Sequence, residues 1–86
     1  MRLEFREWAF EDLQYWVQMN PKVAKGLLRL IEETQRDPFG GAGKPEALKG
    51  ELAGWWSKRI DKEHRLIYRV EGDRIIIAQA KGHYDD

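Results

Sequence analysis

The feature that most limits how this chain can fold is a change of hydrophobic period. Between Phe10 and Ile31 apolar residues recur at helical spacing, whereas from His64 onward they alternate with polar ones. The first pattern needs elements that bury one stripe, and the second needs strands that bury one face. A stretch rich in Gly and Pro separates the two.

In the helical part, Phe10, Leu13, Trp16 and Val17 fall on one face, and Val23, Leu27, Leu30 and Ile31 on another. Asn20-Pro21 lies between them. Asn is a good helix cap and Pro a good first helical residue, so one helix is predicted to end and a second to begin there. The second should stop near Asp37, because Pro38 disfavours the α conformation in the residue before it. Ahead of both, residues 1–5 alternate and predict a short strand.

Residues 38–54 hold five of the eight Gly and two of the three Pro. Structureless loops of this length are uncommon in compact domains and are often functional. Residues 45–49 could form one short helical turn inside it. Residues 55–60, 64–70 and 74–81 then read as strands. In the second of these, Leu66, Tyr68 and Val70 share one face and Arg65, Ile67 and Arg69 the other. Glu71-Gly72-Asp73 reads as a tight hairpin turn and Asp61-Lys62-Glu63 as another, which makes the three strands antiparallel neighbours. The expected fold class is α+β: an N-terminal strand, a two-helix hairpin, then an antiparallel three-stranded meander in one sheet, with the helices on one face. A chain of 86 residues fits one domain, residues 1–86, with one core. Four Trp supply bulk to such a small core.

Charge narrows the function. Fifteen Lys and Arg balance fifteen Asp and Glu, and neither half is a basic arm. A nonspecific nucleic-acid binder usually shows a basic balance, so nucleic-acid chemistry would have to rest on a local cluster or on a partner that presents the substrate. One local cluster exists: Lys44, Lys49, Lys58, Arg59, Lys62, Arg65 and Arg69, against Glu46, Glu51, Asp61 and Glu63. With no Cys, disulfides and thiolate metal sites are excluded. Two His without HxxxH or HxH spacing leave little for zinc, and no metal or cofactor is expected. The first residues lack the apolar run of a signal peptide, and no segment approaches membrane-spanning length. A cytoplasmic protein is the expectation.

RNA can be cleaved without metal because its own 2′-hydroxyl is a nucleophile. The catalyst must remove that proton, protonate the departing 5′-oxygen and neutralise charge on phosphorus. Glu46 in the Gly-rich loop, Arg65 on a strand, and His83 and Tyr84 after the last strand are candidates for base, phosphate ligand, acid and base-stacking aromatic. Each also has a plainer reading. Glu46 could be a solvated loop residue, Arg65 could pair with Glu63 on the sheet surface, and His83 and Tyr84 could belong to a frayed tail. Trp55-Trp56 reads as core and rim, since adjacent strand residues face opposite ways. A pair such as Lys58-Arg59 is usually solvated, unless an RNA site recruits it to phosphates. His64 begins a strand, with no partner evident from the sequence.

At these residues the chain resembles the YoeB/Txe toxins of the RelE/ParE superfamily, over nearly its whole length. The first block is Thr34-Gln35-Arg36-Asp37-Pro38-Phe39 running into Gly43-Lys44-Pro45-Glu46-Ala47-Leu48-Lys49. The second is Gly54-Trp55-Trp56-Ser57-Lys58-Arg59-Ile60, then Glu63-His64-Arg65-Leu66-Ile67-Tyr68. The third is Gly82-His83-Tyr84. The resemblance implies a toxin of a bacterial type II toxin–antitoxin pair, a metal-independent endoribonuclease that cleaves mRNA in the ribosomal decoding site. It implies Glu46 as general base, His83 as general acid, Arg65 as phosphate stabiliser and Tyr84 as a substrate-positioning residue. Lys49 and Arg59 match positive positions near the family's site, and Glu63 a supporting acid. The implied partners are mRNA, the ribosome and a cognate antitoxin of the YefM/Phd type, with a homodimer also known in the family. The alternative on the same superfamily fold is a non-enzymatic inhibitor like the gyrase-binding ParE branch, which lacks the acid–base set. Joint presence of Glu46, Arg65, His83 and Tyr84 favours the nuclease.

Overall fold

A computed structural model describes residues 1–82, so the expectations for His83 and Tyr84 lie outside the described residues. Strand β1 (Arg2–Phe5) leads into helices α1 (Glu7–Met19) and α2 (Pro21–Arg36). Asn20 closes the first and opens the second. Its N–H donates to Trp16 O at 2.8 Å, while its side-chain oxygen accepts the Val23 N–H at 3.4 Å. Pro21 takes the first helical position, where its missing N–H costs nothing. Helix α2 ends at Arg36, and Asp37 turns extended ahead of Pro38, as the steric rule requires.

The remaining elements are β2 (Glu46–Ala47), a 3₁₀ turn (Gly50–Leu52), β3 (Trp56–Arg59), β4 (Arg65–Glu71) and β5 (Arg74–Gln79). The sheet order is β1-β5-β4-β3-β2. The meander β3-β4-β5 is antiparallel, and β1 adds to it in parallel with β5, Leu3 opposite Ile75. At the other edge, residues 45–49 do not form the expected helical turn. Glu46 pairs with Ser57 and Ala47 with Trp56, because the open edge of β3 offers backbone partners that a lone helical turn could not supply. The 3₁₀ turn comes three residues later. In the β4–β5 hairpin Gly72 holds φ at +59°, as a two-residue connection of the primed type needs.

Leu66 and Tyr68 of β4 and Ile75 and Ile77 of β5 pack under Ala9, Trp16, Leu27, Leu30 and Ile31. The α1 stripe is shifted by one residue from the expected one. Phe10 is 50% and Val17 54% exposed, while Ala9 is buried with Trp16 and with Leu13 beside them. A small residue at position 9 lets the helix lie close to the sheet, and Phe10 instead meets Phe5 edge-on at the rim, ring centroids 6.3 Å apart. Helix α1 also holds the end of β5 directly. The Trp16 indole N–H donates to Ala80 O at 2.9 Å, and the Asp12 carboxylate accepts the Ala80 N–H at 3.0 Å. With the helices on one face, strand alternation turns Ser57, Arg59 and Arg65 toward the other.

Candidate active site

On that open face a cleft of about 300 Å³ is lined by Lys44, Pro45, Glu46, Ser57, Arg59 and Arg65. Sheet register explains the convergence. Glu46 lies directly across from Ser57, Arg59 stands two residues along the same strand, and Arg65 lies directly across from Arg59. Directly paired residues on neighbouring strands point the same way about 5 Å apart, so the three strands deliver one carboxylate and two guanidinium groups to one surface. Lys44 adds a third cation from the loop. Glu46 and Arg59 are exposed and Arg65 is half-buried.

Two local devices fix this arrangement. The Arg65 Nη1 donates to the carbonyls of Asp61, Lys62 and His64 at 2.9, 3.3 and 3.2 Å, so the β3–β4 turn sets the direction of the guanidinium. A guanidinium carries five donors, and the three turn contacts all run through Nη1, so they do not use up its capacity to meet an anion. The Gly43 carbonyl accepts the Arg59 N–H at 2.6 Å, which ties the loop to β3 just before Glu46. Gly43 sits at φ +89°, and Lys44 is left-handed too at +51°. A Cβ on Gly43 would come within 3.0 Å of Lys58 Cβ and 3.2 Å of Arg59 O, so the close approach requires glycine.

The family model for YoeB-like toxins of bacterial type II toxin–antitoxin systems matches residues 5–84. This chain belongs to that family. Toxin YoeB of Streptomyces coelicolor is 49% identical over 98% of this chain and 100% of its own. Among solved structures, the YoeB/ParE toxin from Agrobacterium tumefaciens superimposes with a TM-score of 0.94 at 40% identity, covering 98% of this chain and 100% of that one. The YoeB–YefM complex from Staphylococcus aureus gives 0.89 at 42%, covering 98% of each. The α+β fold is therefore that of the YoeB toxins, with a five-stranded mixed sheet.

The other residues singled out in this YoeB-family toxin fall in different places. Lys49 is exposed just before the 3₁₀ turn and does not line the cleft. Glu63 is exposed on the β3–β4 turn and, with Trp16, Asp61, Lys62 and His64, lines a separate hollow of about 350 Å³. Arg65 uses turn carbonyls rather than Glu63 as its partners. Lys58 is not solvated: it is fully buried, and its ammonium donates to Asp37 O at 3.3 Å near the ring of Tyr68. Burial lowers its pKa, with Asp37 and Glu33 acting against that shift. Trp56 packs on the core, and Trp55 meets the guanidinium groups of Arg6 and Arg69 on the other side, as the core-and-rim reading expects.

From the sequence, Ser57 had no role of its own, Lys44 was only one member of the basic cluster, and His64 had no evident partner. Alternation along β3 would have found Ser57 once Arg59 was placed. His64 had no such signal, because its partner lies eighteen residues away: Nδ1 accepts the Gly82 N–H at 2.8 Å. Among the described residues no group of three or more His, Asp or Glu is disposed to hold a metal ion.

Proposed function

We propose that this toxin is a ribosome-dependent mRNA endoribonuclease, one catalytic domain over residues 1–86 that halts translation in the cytoplasm. The observation that carries the reading is the convergence of Glu46, Arg59 and Arg65 on one open strand face. A carboxylate beside two guanidinium groups suits attack on a phosphodiester. Glu46 takes the proton of the ribose 2′-hydroxyl, and the oxygen attacks phosphorus. Arg65, with Arg59, neutralises the charge that builds on the non-bridging oxygens. His83 gives a proton to the 5′-oxygen as the P–O5′ bond breaks, and Tyr84 positions the substrate. Lys49 and Glu63 are supporting residues. The proton bookkeeping closes with an acid, a base and a cation, so the route calls for no metal ion.

A guanidinium already oriented by three carbonyls needs little reorganisation as charge develops, which is where electrostatic catalysis gains most. Zero net charge and three cleft cations give weak affinity for free RNA. A ribosome holding mRNA in place replaces that affinity with positioning. The Staphylococcus aureus YoeB–YefM toxin–antitoxin complex supports a cognate antitoxin as a partner.

The test is incubation of the purified toxin with mRNA, with and without programmed ribosomes, followed by mapping of the cuts. Cleavage should be confined to, or strongly enhanced in, the ribosome-bound message. Equal rates on naked and ribosome-bound mRNA would contradict ribosome dependence, and no cleavage of either would remove the nuclease reading.

A further inference from the structure

Three consecutive residues at the end of the last strand are held in place. Ala80 is gripped on both its N–H and its carbonyl by Asp12 and Trp16 of α1. The ammonium of Lys81 lies 4.0 Å from the centre of the Tyr15 ring. Gly82 is clamped on both sides by two adjacent residues: its N–H donates to His64 Nδ1 at 2.8 Å, and its carbonyl accepts the Arg65 N–H at 2.9 Å. That carbonyl belongs to the peptide bond leading into residue 83. Gly82 holds φ at +82°, which glycine adopts without strain.

The ring of His64 is fixed as well. It meets the Trp16 indole edge-on with centroids 4.7 Å apart, and only about a fifth of its side chain is exposed. The same indole holds Ala80, so His64 and Trp16 form one continuous support under residues 80–82. Strand alternation places this support on the helix side of the sheet, while Arg65, the next residue, reaches the cleft on the opposite side. Accepting the Gly82 N–H requires Nδ1 without a proton and Nε2 carrying one.

We infer that His64 is a positioning residue: by accepting the Gly82 N–H it fixes the backbone from which the chain enters residue 83. This rests on the nuclease reading, in which His83 is the acid. His64 is not among the residues that line the cleft with Glu46, Arg59 and Arg65. Its effect passes through one peptide, and a misplacement of about 1 Å at a catalytic group can cost on the order of 100-fold in rate.

Two substitutions separate the acceptor from the ring. His64→Phe keeps an aromatic against Trp16 and removes the acceptor. His64→Asn gives up the ring and places an oxygen about where Nδ1 stands. Amide hydrogen exchange at Gly82 and single-turnover cleavage of ribosome-bound mRNA are measured for both and for the wild type. His64→Phe should lose at least about tenfold in Gly82 protection and roughly 10- to 100-fold in the cleavage step, with substrate affinity unchanged. His64→Asn should recover most of both. Wild-type cleavage rates in His64→Phe would overturn the positioning role while leaving the nuclease reading intact. So would loss of activity in both variants alike with Gly82 protection retained. A wild type that cleaves nothing while Gly82 stays protected would bring down the nuclease reading, and the positioning role with it.

Discussion

Gly43→Ala tests how the loop before Glu46 is held. Gly43 has φ +89°, and a side chain in the left-handed region costs about 1–2 kcal/mol. Its new Cβ would meet Lys58 Cβ at 3.0 Å, Arg59 O at 3.2 Å and Leu30 Cδ1 at 3.2 Å. The first two neighbours belong to β3 and the third to the core, so the loop has to move rather than they. Movement weakens the 2.6 Å bond from the Arg59 N–H to the Gly43 carbonyl, worth about 1 kcal/mol. The expected loss is therefore about 2–3 kcal/mol. Gly50→Ala is the control, because Gly50 has φ +65° with nothing within 4 Å of an added Cβ, so it carries the backbone term alone. Urea titrations followed by Trp fluorescence should place Gly43→Ala at least about 1 kcal/mol below Gly50→Ala, with equal slopes. The cleavage rate should fall by up to about 100-fold in the first and little in the second, since only the first shifts the backbone of Lys44, Pro45 and Glu46. Equal stability losses within roughly 0.5 kcal/mol would refute the close-approach argument.

Glu46→Gln should slow cleavage by roughly 100-fold or more while shifting stability by no more than about 0.5 kcal/mol, because the residue is exposed; wild-type turnover would remove Glu46 as the base. Cleaved mRNA should end in a 2′,3′-cyclic phosphate, or its opened form, and a 5′-hydroxyl; end-group analysis that finds a 5′-phosphate would exclude 2′-hydroxyl attack. Burial, reinforced by Asp37, pushes the Tyr68 hydroxyl well above its usual 10.0, so the folded chain keeps a proton that the unfolded chain loses. That contribution to stability is present below pH 10 and is lost as pH rises above it, at no more than about 1.4 kcal/mol per pH unit. Tyr68→Phe should flatten this alkaline limb in denaturation curves. Lys58 has the opposite sign: its lowered pKa means the unfolded chain binds the extra proton, so its effect makes stability rise with pH up to about 10.5. Lys58→Met should abolish that rise.

Most of the fold was legible because it rests on short-range rules. Asn20-Pro21, Asp37-Pro38 and the alternation from Arg65 to Val70 each determine local backbone geometry, and the helix boundaries and strand faces follow. What escaped depends on contacts between distant residues. Residues 46–47 become a strand only because β3 lies beside them, and β1 finds β5 across some seventy residues. The shift of the buried stripe on α1 from Phe10 to Ala9 reflects how closely the helix approaches the sheet, which spacing alone does not encode. The same division runs through the site. Arg59 and Glu46 could be proposed singly, but their meeting depends on the pairing of Glu46 with Ser57. His64 stayed without a role because its partner is a backbone N–H that carries no sequence signature.

Strand β3 shows how one short element serves both faces of the sheet. Its alternate residues Ser57 and Arg59 line the cleft, while Trp56 and Lys58 enter the core side. Lys58 is the unexpected member, since burying an ammonium is unfavourable and the lowered pKa registers that penalty. Lys58 and Arg59 together grip the loop at two points. The Lys58 ammonium holds Asp37 O where α2 stops, and the next N–H, that of Arg59, holds Gly43 just before Glu46. Tyr68, across from Trp56, adds a third point by donating to Pro38 O. A loop rich in glycine has high entropy when free, so a carboxylate at its end needs such anchors to stay in one place. A hydrophobic residue at position 58 could fill the same volume with less electrostatic strain, but it could not reach a backbone carbonyl. The buried lysine holds the start of this loop, and Lys58→Met should separate that contact from core packing: stability at neutral pH maintained or raised and, on the nuclease reading, the cleavage rate reduced. A Lys58→Met variant with both quantities at wild-type values would show that the other two anchors suffice.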